Sequence, residues 1–230
     1  MLNKAIDFLN TDKMVENSFY LTYVFLMTTA TITFIEAMRT KNKKVRHILN
    51  LETCISVVAA FFYGKFMTMV EKPSVDYREI NMTRYVDWVI TTPIMLLVLC
   101  LAFLYNTGGQ LRFVTFLKIL AMNFLMLFSG YAGETNIINK TTGCIAGMIL
   151  FFALYGFIYY KFIAKKPLFD NKILYWSFFT FWICYGLVYY QQDKLKNVAF
   201  NYLDLFAKCF VGIFFWAYFT KVFTLKKGIY

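Results

Sequence analysis

Charge is scarce in this chain of 230 residues: Asp, Glu, Lys and Arg together make up 16%, against about a quarter in an ordinary soluble domain. Proline occurs three times, and no stretch is rich in Pro, Gly or Ser, so flexible interdomain linkers are excluded. The single histidine, His47, lies in a basic loop, which excludes a multi-histidine metal site within one chain. The five cysteines (Cys54, Cys100, Cys144, Cys184, Cys209) stand far apart inside apolar runs with no CxxC pair; they read as small buried residues rather than a disulfide framework. Acidic residues number 13 against 24 basic ones, a net charge of +11. No basic stretch belongs to a folded soluble module, so that charge points to basic loops beside anionic lipid and away from nucleic acid.

Apolar side chains are what the sequence has in excess. They reach 60%, aromatics 21%, and mean hydropathy is +0.54. A soluble chain of this size cannot hide that much apolar surface, and runs of about 20 apolar residues, one bilayer crossing each, recur throughout. The expectation is an all-α, multi-pass membrane protein: a bundle of seven helices at 18–38, 48–70, 82–104, 113–131, 142–162, 170–190 and 198–222. Residues 18–230 form one transmembrane domain. The segment 1–17 is too polar for a signal peptide; Leu2, Ala5, Ile6 and Leu9 fall at helical spacing, so an interfacial amphipathic helix and a frayed tail are the two readings.

Loop charges orient the bundle. The first, third and fifth loops and the C-terminus share one side and hold 13 of the Lys and Arg residues, against 7 on the other side. The positive-inside rule then places the N-terminus outside and the C-terminus in the cytoplasm.

Charges inside the apolar runs are costly and are functional candidates by default. In the third run, Arg84 and Asp87 are three residues apart and Thr91 follows one turn later, all on one face. In the seventh, Asp204 precedes Lys208 by one turn. Lys208 lies about 15 Å along its run, near the bilayer midplane, beyond easy snorkelling. A lysine at that depth is paired, neutral or chemically modified. An Asp204–Lys208 pair that only offsets its own burial is the plainer reading. The convergence of a second aspartate and an arginine favours a site, and a lysine amine can form a Schiff base with a carbonyl compound.

The stretch Arg84-Tyr85-Val86-Asp87-Trp88-Val89-Ile90-Thr91-Thr92-Pro93 resembles the third-helix signature of microbial rhodopsins, and Leu203-Asp204-Leu205-Phe206-Ala207-Lys208 resembles their seventh. Trp182, Tyr185 and Tyr189 match the sixth-helix aromatics, and Gly130-Tyr131-Ala132-Gly133-Glu134 the end of the fourth helix in proteorhodopsin-like members. Small size and a Phe/Tyr/Asn/Lys-rich composition are similar to rhodopsins of giant algal viruses. The resemblance implies a light-activated retinal protein rather than an enzyme, with all-trans retinal on Lys208 as a protonated Schiff base. Asp87 would be the main counter-ion and proton acceptor, Asp204 the second counter-ion, and Arg84 would keep both ionised. Thr91 would hydrogen-bond Asp87, and Tyr185 would hydrogen-bond Asp204. Trp88, Met95, Met126, Gly130, Phe151, Trp182 and Tyr189 would line the retinal pocket, with Gly147 beside Phe151. Asn123 would hydrogen-bond Thr92 and couple the third and fourth helices. Partners would be the lipid bilayer and further copies of the chain, as a trimer or pentamer, with no metal.

Departures from the family pattern bear on mechanism. Eleven residues make three helical turns with about 20° of drift, so position 98 shares the face of Asp87. Pumping relatives carry a carboxylate proton donor there; here it is Val98. Glu36 and Glu52, near the cytoplasmic ends of the first two helices, are the alternative donors or else acids anchored at the interface. Gly186 stands where the family has a proline. No carboxylate pair for extracellular proton release is evident, and Lys65 would pair with Asp76 or Glu71 or snorkel outwards. Outward proton transport is the leading reading. A light-gated cation channel, a photosensory receptor and a seven-span protein without a chromophore are its rivals.

Overall fold

The computed structural model describes residues 11–220. Its helices are α1 (Asp12–Arg39), α2 (Lys43–Val70), α3 (Tyr77–Thr107), α4 (Phe113–Glu134), α5 (Lys140–Ile163), α6 (Phe169–Val188) and α7 (Asp193–Phe219). Two turns widen to π-helix, Tyr159–Ile163 in α5 and Leu205–Phe210 in α7. No strand occurs among the described residues. Six of the seven helices are long and apolar enough to cross a membrane. The other, α6, is rich in Tyr and Trp, whose amphipathic rings lower its hydropathy without hindering burial. The chain is a multi-pass membrane protein.

Helices start earlier than the apolar runs because polar residues cap them. Thr11 Oγ1 accepts from the Met14 N–H, and α1 therefore begins six residues ahead of its expected start at 18. Asn42 Oδ1 accepts from Lys44 and Val45, Asp76 Oδ1 from Arg78 and Glu79, and Asn139 Oδ1 from Thr141. Each cap satisfies N–H groups that have no partner inside the helix. Hydropathy marks the bilayer core, while caps mark where hydrogen bonding begins. The amphipathic positions Leu2, Ala5, Ile6 and Leu9, and the last residues of the expected seventh run, lie outside the described residues.

Sequence neighbours pack side by side and α7 closes the ring against α1. The two ends of the bundle are named here by Thr11 and Arg39, at either end of α1. Towards the Arg39 end the core is apolar, built from Val98, Leu99, Phe103, Phe178 and Phe215. Near its rim Asn106 donates to Asn171 at 2.7 Å, joining α3 to α6. Towards the Thr11 end, Phe19, Tyr63, Phe66 and Ile80 pack on α7. Between them α7 turns a polar stripe inward: Asn197, Asn201, Asp204 and Lys208 are all buried.

α4 and α5 pack backbone to backbone. A Cβ on Gly143 would stand 2.7 Å from the Ser129 carbonyl oxygen and 3.0 Å from Gly133 Cα. Gly143→Ala is therefore expected to destabilise the bundle by about 1–3 kcal/mol through overpacking, read as a lowered thermal unfolding midpoint in detergent. Gly156→Ala in the same helix, where a Cβ meets nothing within 4 Å, should leave the midpoint unchanged or raise it.

Candidate functional site

Midway along the bundle, four charged side chains from two helices meet out of reach of solvent. Lys208 Nζ lies 2.7 Å from Asp87 Oδ2 and 3.3 Å from Asp204 Oδ2. Arg84 Nη1 is 3.6 Å from Asp204 Oδ2. None of the four is more than 2% exposed. Two cations and two carboxylates make a set with no net charge, which is how four ionic groups can be buried together at moderate cost.

α3 and α7 position this set differently. Arg84, Asp87 and Thr91 are successive inward positions of α3, and Pro93 follows with no N–H to give the preceding turn. Thr91 Oγ1 donates to the Asp87 backbone carbonyl at 2.9 Å, so the expected Thr91–Asp87 bond is made to the main chain. Thr92 does the same to Trp88 at 2.7 Å. In α7 the wider π turn begins directly after Asp204 and carries Lys208, a distortion that recurs at functional sites.

Asp204 is held from several sides. Tyr63 donates to its Oδ2 at 2.8 Å and Tyr185 to its Oδ1 at 2.7 Å. Arg84 donates to the Asn197 and Asn201 side-chain oxygens at 3.0 and 2.8 Å. The guanidinium is ringed by Phe19, Tyr63, Phe66 and Phe200, with centroids 5.0–5.8 Å away. Asp87 is held less tightly: its Oδ1 is buried and has no hydrogen-bond partner among the described residues.

A cavity runs from Lys208 between α3, α4, α5 and α6. Trp88, Met95, Met126, Gly130, Phe151, Trp182 and Tyr189 all line it, as does Gly147. Its walls also include Gly143, Cys144, Met148, Gly186 and Phe200. Two glycines keep it open. A Cβ on Gly130 would sit 2.6 Å from the Tyr85 hydroxyl, and one on Gly186 would sit 2.5 Å from Met148 Sδ. An elongated apolar chain with an aldehyde at one end fits these walls: aromatic faces along its length, an amine at its end, and an unpartnered carboxylate oxygen beside that amine.

The other singled-out residues stand away from the cavity, and Asn123 makes the bond to Thr92 that was expected of it. Asn123 donates to Thr92 Oγ1 at 2.8 Å, linking α4 to α3. Val98 is fully buried in the apolar core. Glu36 is part-exposed and 3.7 Å from Arg39. Lys65 is exposed and forms no ion pair among the described residues, while Asp76 caps α3. Two acids converge on one lysine near the Thr11 end: Glu134 Oε1 and Asp193 Oδ1 lie 2.7 and 3.0 Å from Lys196 Nζ. The partners are 62 and 3 residues apart in sequence, so only the folded bundle brings the two acids together. Tyr63, Asn197 and Asn201 also join the site. The asparagines were legible as the α7 stripe at turns before Asp204; Tyr63 carried no signal of its own.

The family model described as bacteriorhodopsin-like protein matches residues 14–222. The chain belongs to this family. It is a microbial rhodopsin of the membrane. The viral rhodopsin OLPVRII is 53% identical, over 91% of this chain and 99% of that one, with a TM-score of 0.86. The green-light absorbing proteorhodopsin of Gamma-proteobacterium EBAC31A08 is 27% identical over 149 residues, 60% of this chain and 55% of that protein. The match thus spans about half the length of that curated relative. The blue light-absorbing proteorhodopsin from Med12 shares the fold at 21% identity and a TM-score of 0.73, over 88% of this chain and 95% of that one.

The α3–α4 link can be tested directly in this rhodopsin. Thr92→Val would leave a buried Asn123 N–H without an acceptor, at about 1–3 kcal/mol. The thermal midpoint should fall, Thr92→Ser should keep it, and Thr92→Val with Asn123→Leu should recover part of the loss.

Proposed function

We propose that this rhodopsin moves protons outward under light, with all-trans retinal joined covalently to Lys208 and the Thr11 end facing outside. The observation that carries the reading is the buried amine 2.7 Å from one carboxylate and 3.3 Å from a second. Lys208 would hold retinal through this amine, and the bound group would supply a light-driven isomerisation.

The protein's own groups then have distinct tasks. Asp87 is the acceptor for the Nζ proton, because it is nearest and its Oδ1 is free of other bonds. Asp204 already accepts from Tyr63 and Tyr185 and faces Arg84, so it serves as fixed negative charge. Trp88 and Trp182 wall the cavity and keep water from the amine.

Return of a proton to Nζ needs a source towards the Arg39 end, and Glu52 of α2 fits it. Glu52 is 2% exposed. A Cβ on Gly212, one turn beyond Lys208, would stand 3.1 Å from Glu52 Oε2 and 2.9 Å from Thr29 Cγ2. The missing side chain at 212 thus leaves the slot that the Glu52 carboxyl occupies against α7. Ser56, one turn closer to the site, has a buried hydroxyl with no partner among the described residues. Val98 cannot donate, and Glu36 is engaged at the rim with Arg39. Assembly as a trimer or pentamer belongs to the same reading.

Two measurements test it. Purified with all-trans retinal the protein should be coloured, and folded Lys208→Ala should have no visible band; a surviving band contradicts the assignment. After a flash, Glu52→Gln should slow recovery of the visible band by about tenfold or more, as loss of a positioned acid does, with the greatest slowing at high pH. Glu36→Gln should leave recovery unchanged; the reverse pattern would place the donor at Glu36.

A further inference from the structure

A second buried polar system lies between the ion set and the Thr11 end, and it is continuous. Lys196, with only 1% of its side chain exposed, reaches Glu134 from α4 and Asp193 from its own helix. Asn81 of α3 spends both amide protons on the same two acids, donating to Glu134 Oε1 at 2.9 Å and Asp193 Oδ1 at 3.2 Å. The Asn81 oxygen then accepts from Asn197 at 3.1 Å. The Asn197 oxygen accepts from Arg84 at 3.0 Å. Arg84 ends the chain beside Asp204.

Each amide in this chain has only one workable orientation. Two carboxylates can accept but not donate, so the Asn81 NH2 must face them and its oxygen must face Asn197. The Asn197 NH2 is thereby committed to Asn81, and its other proton goes to the Asp193 carbonyl at 3.0 Å. Its oxygen is left for the guanidinium. The ionic state of the outer acids therefore fixes which acceptor Arg84 finds two residues away. Lys196 balances part of the acids' charge. Without it, the two acids would separate, the Asn81 amide that bridges them would shift, and Asn197 would carry the Arg84 guanidinium away from Asp204.

We propose that Lys196 is a positioning residue that acts through Asn81 and Asn197 to hold Arg84 against Asp204. This rests on the reading of Lys208 as the retinal-bearing lysine with Asp87 and Asp204 as its counter-ions. Other charged and titratable groups face the cluster. Lys140 of α5 is 3.8 Å from Glu134. Tyr189 of α6 and Tyr85 of α3 are close enough to feel the Glu134 charge. Arg78 reaches the Thr135 carbonyl at 3.5 Å, and Lys194 pairs with Asp12. None of these touches Arg84 through the asparagine chain.

The test is a double-mutant cycle on the retinal-loaded full chain, read as the pH at which acid shifts the visible band to the red. Arg84 withdrawn from the carboxylates should let them take up protons at higher pH. Lys196→Met should therefore raise the midpoint by about one pH unit, the size expected for losing a nearby opposite charge; Lys196→Arg should restore it. In an Asn197→Leu background, which cuts the chain, Lys196→Met should move the midpoint by less than about a third as much. A direct effect of the Lys196 charge through space would survive that cut undiminished, and that result overturns the proposal. So does a coloured Lys196→Met protein with the parent's midpoint. If Lys196→Met yields no coloured protein, Glu134→Gln serves in the same cycle. It leaves Lys196 in excess, so the midpoint should fall, and the fall should vanish with Asn197→Leu; a fall that persists overturns the proposal. A parent without a visible band would instead defeat the reading on which the proposal rests.

Discussion

Everything else in this rhodopsin is arranged around one ionic contact, a lysine amine held between two carboxylates inside an apolar bundle. A single charge at the centre of a bilayer-spanning helix costs about 2.5–3.5 kcal/mol on insertion scales. Four such charges survive here because Arg84, Asp87, Asp204 and Lys208 cancel. The neutral set constrains its surroundings. Tyr63 and Tyr185 must spend their hydroxyls on Asp204, and four aromatic rings must wrap the guanidinium. Removing one member leaves the other three with a net charge inside the apolar bundle, so the set works as a unit.

The two halves of the bundle differ in polarity, and the difference has a functional sense. Towards the Thr11 end, polar side chains run unbroken from Asp204 through Arg84, Asn197 and Asn81 to Glu134 and Lys196. Towards the Arg39 end, Val98, Leu99, Phe178 and Phe215 fill the space, with Glu52 as the buried acid that faces α7. In the proposed reading, a proton leaving the amine would meet acceptors on one side and an apolar barrier on the other. That asymmetry is what a directional device requires, because a pathway equally open at both ends would dissipate the gradient it builds.

Much of this was readable before any coordinates. Seven helices followed from apolar run length, and Asp87, Asp204, Arg84 and Lys208 stood out because charge is so rare in the runs. The α7 stripe at 197, 201, 204 and 208 has simple helical spacing. What escaped the sequence depended on long-range packing. Glu134 and Asp193 meet only because α4 ends where α7 begins. Tyr63 looks like any aromatic in a membrane helix until α2 packs on α7. The role of Gly212 is a space, visible only when Thr29 and Glu52 are seen to fill it. Helix starts escaped for a different reason: caps at Thr11, Asn42 and Asp76 lie outside the hydropathy signal.

In the proposed reading, light drives protons one way through this ion set. The most direct measurement is photocurrent under voltage clamp, in cells supplied with retinal, with the membrane potential stepped across zero and the proton gradient varied. A pump gives an outward current that keeps its sign at every potential and disappears in Lys208→Ala. A current that reverses near an ionic equilibrium potential would contradict it and make the bundle a channel.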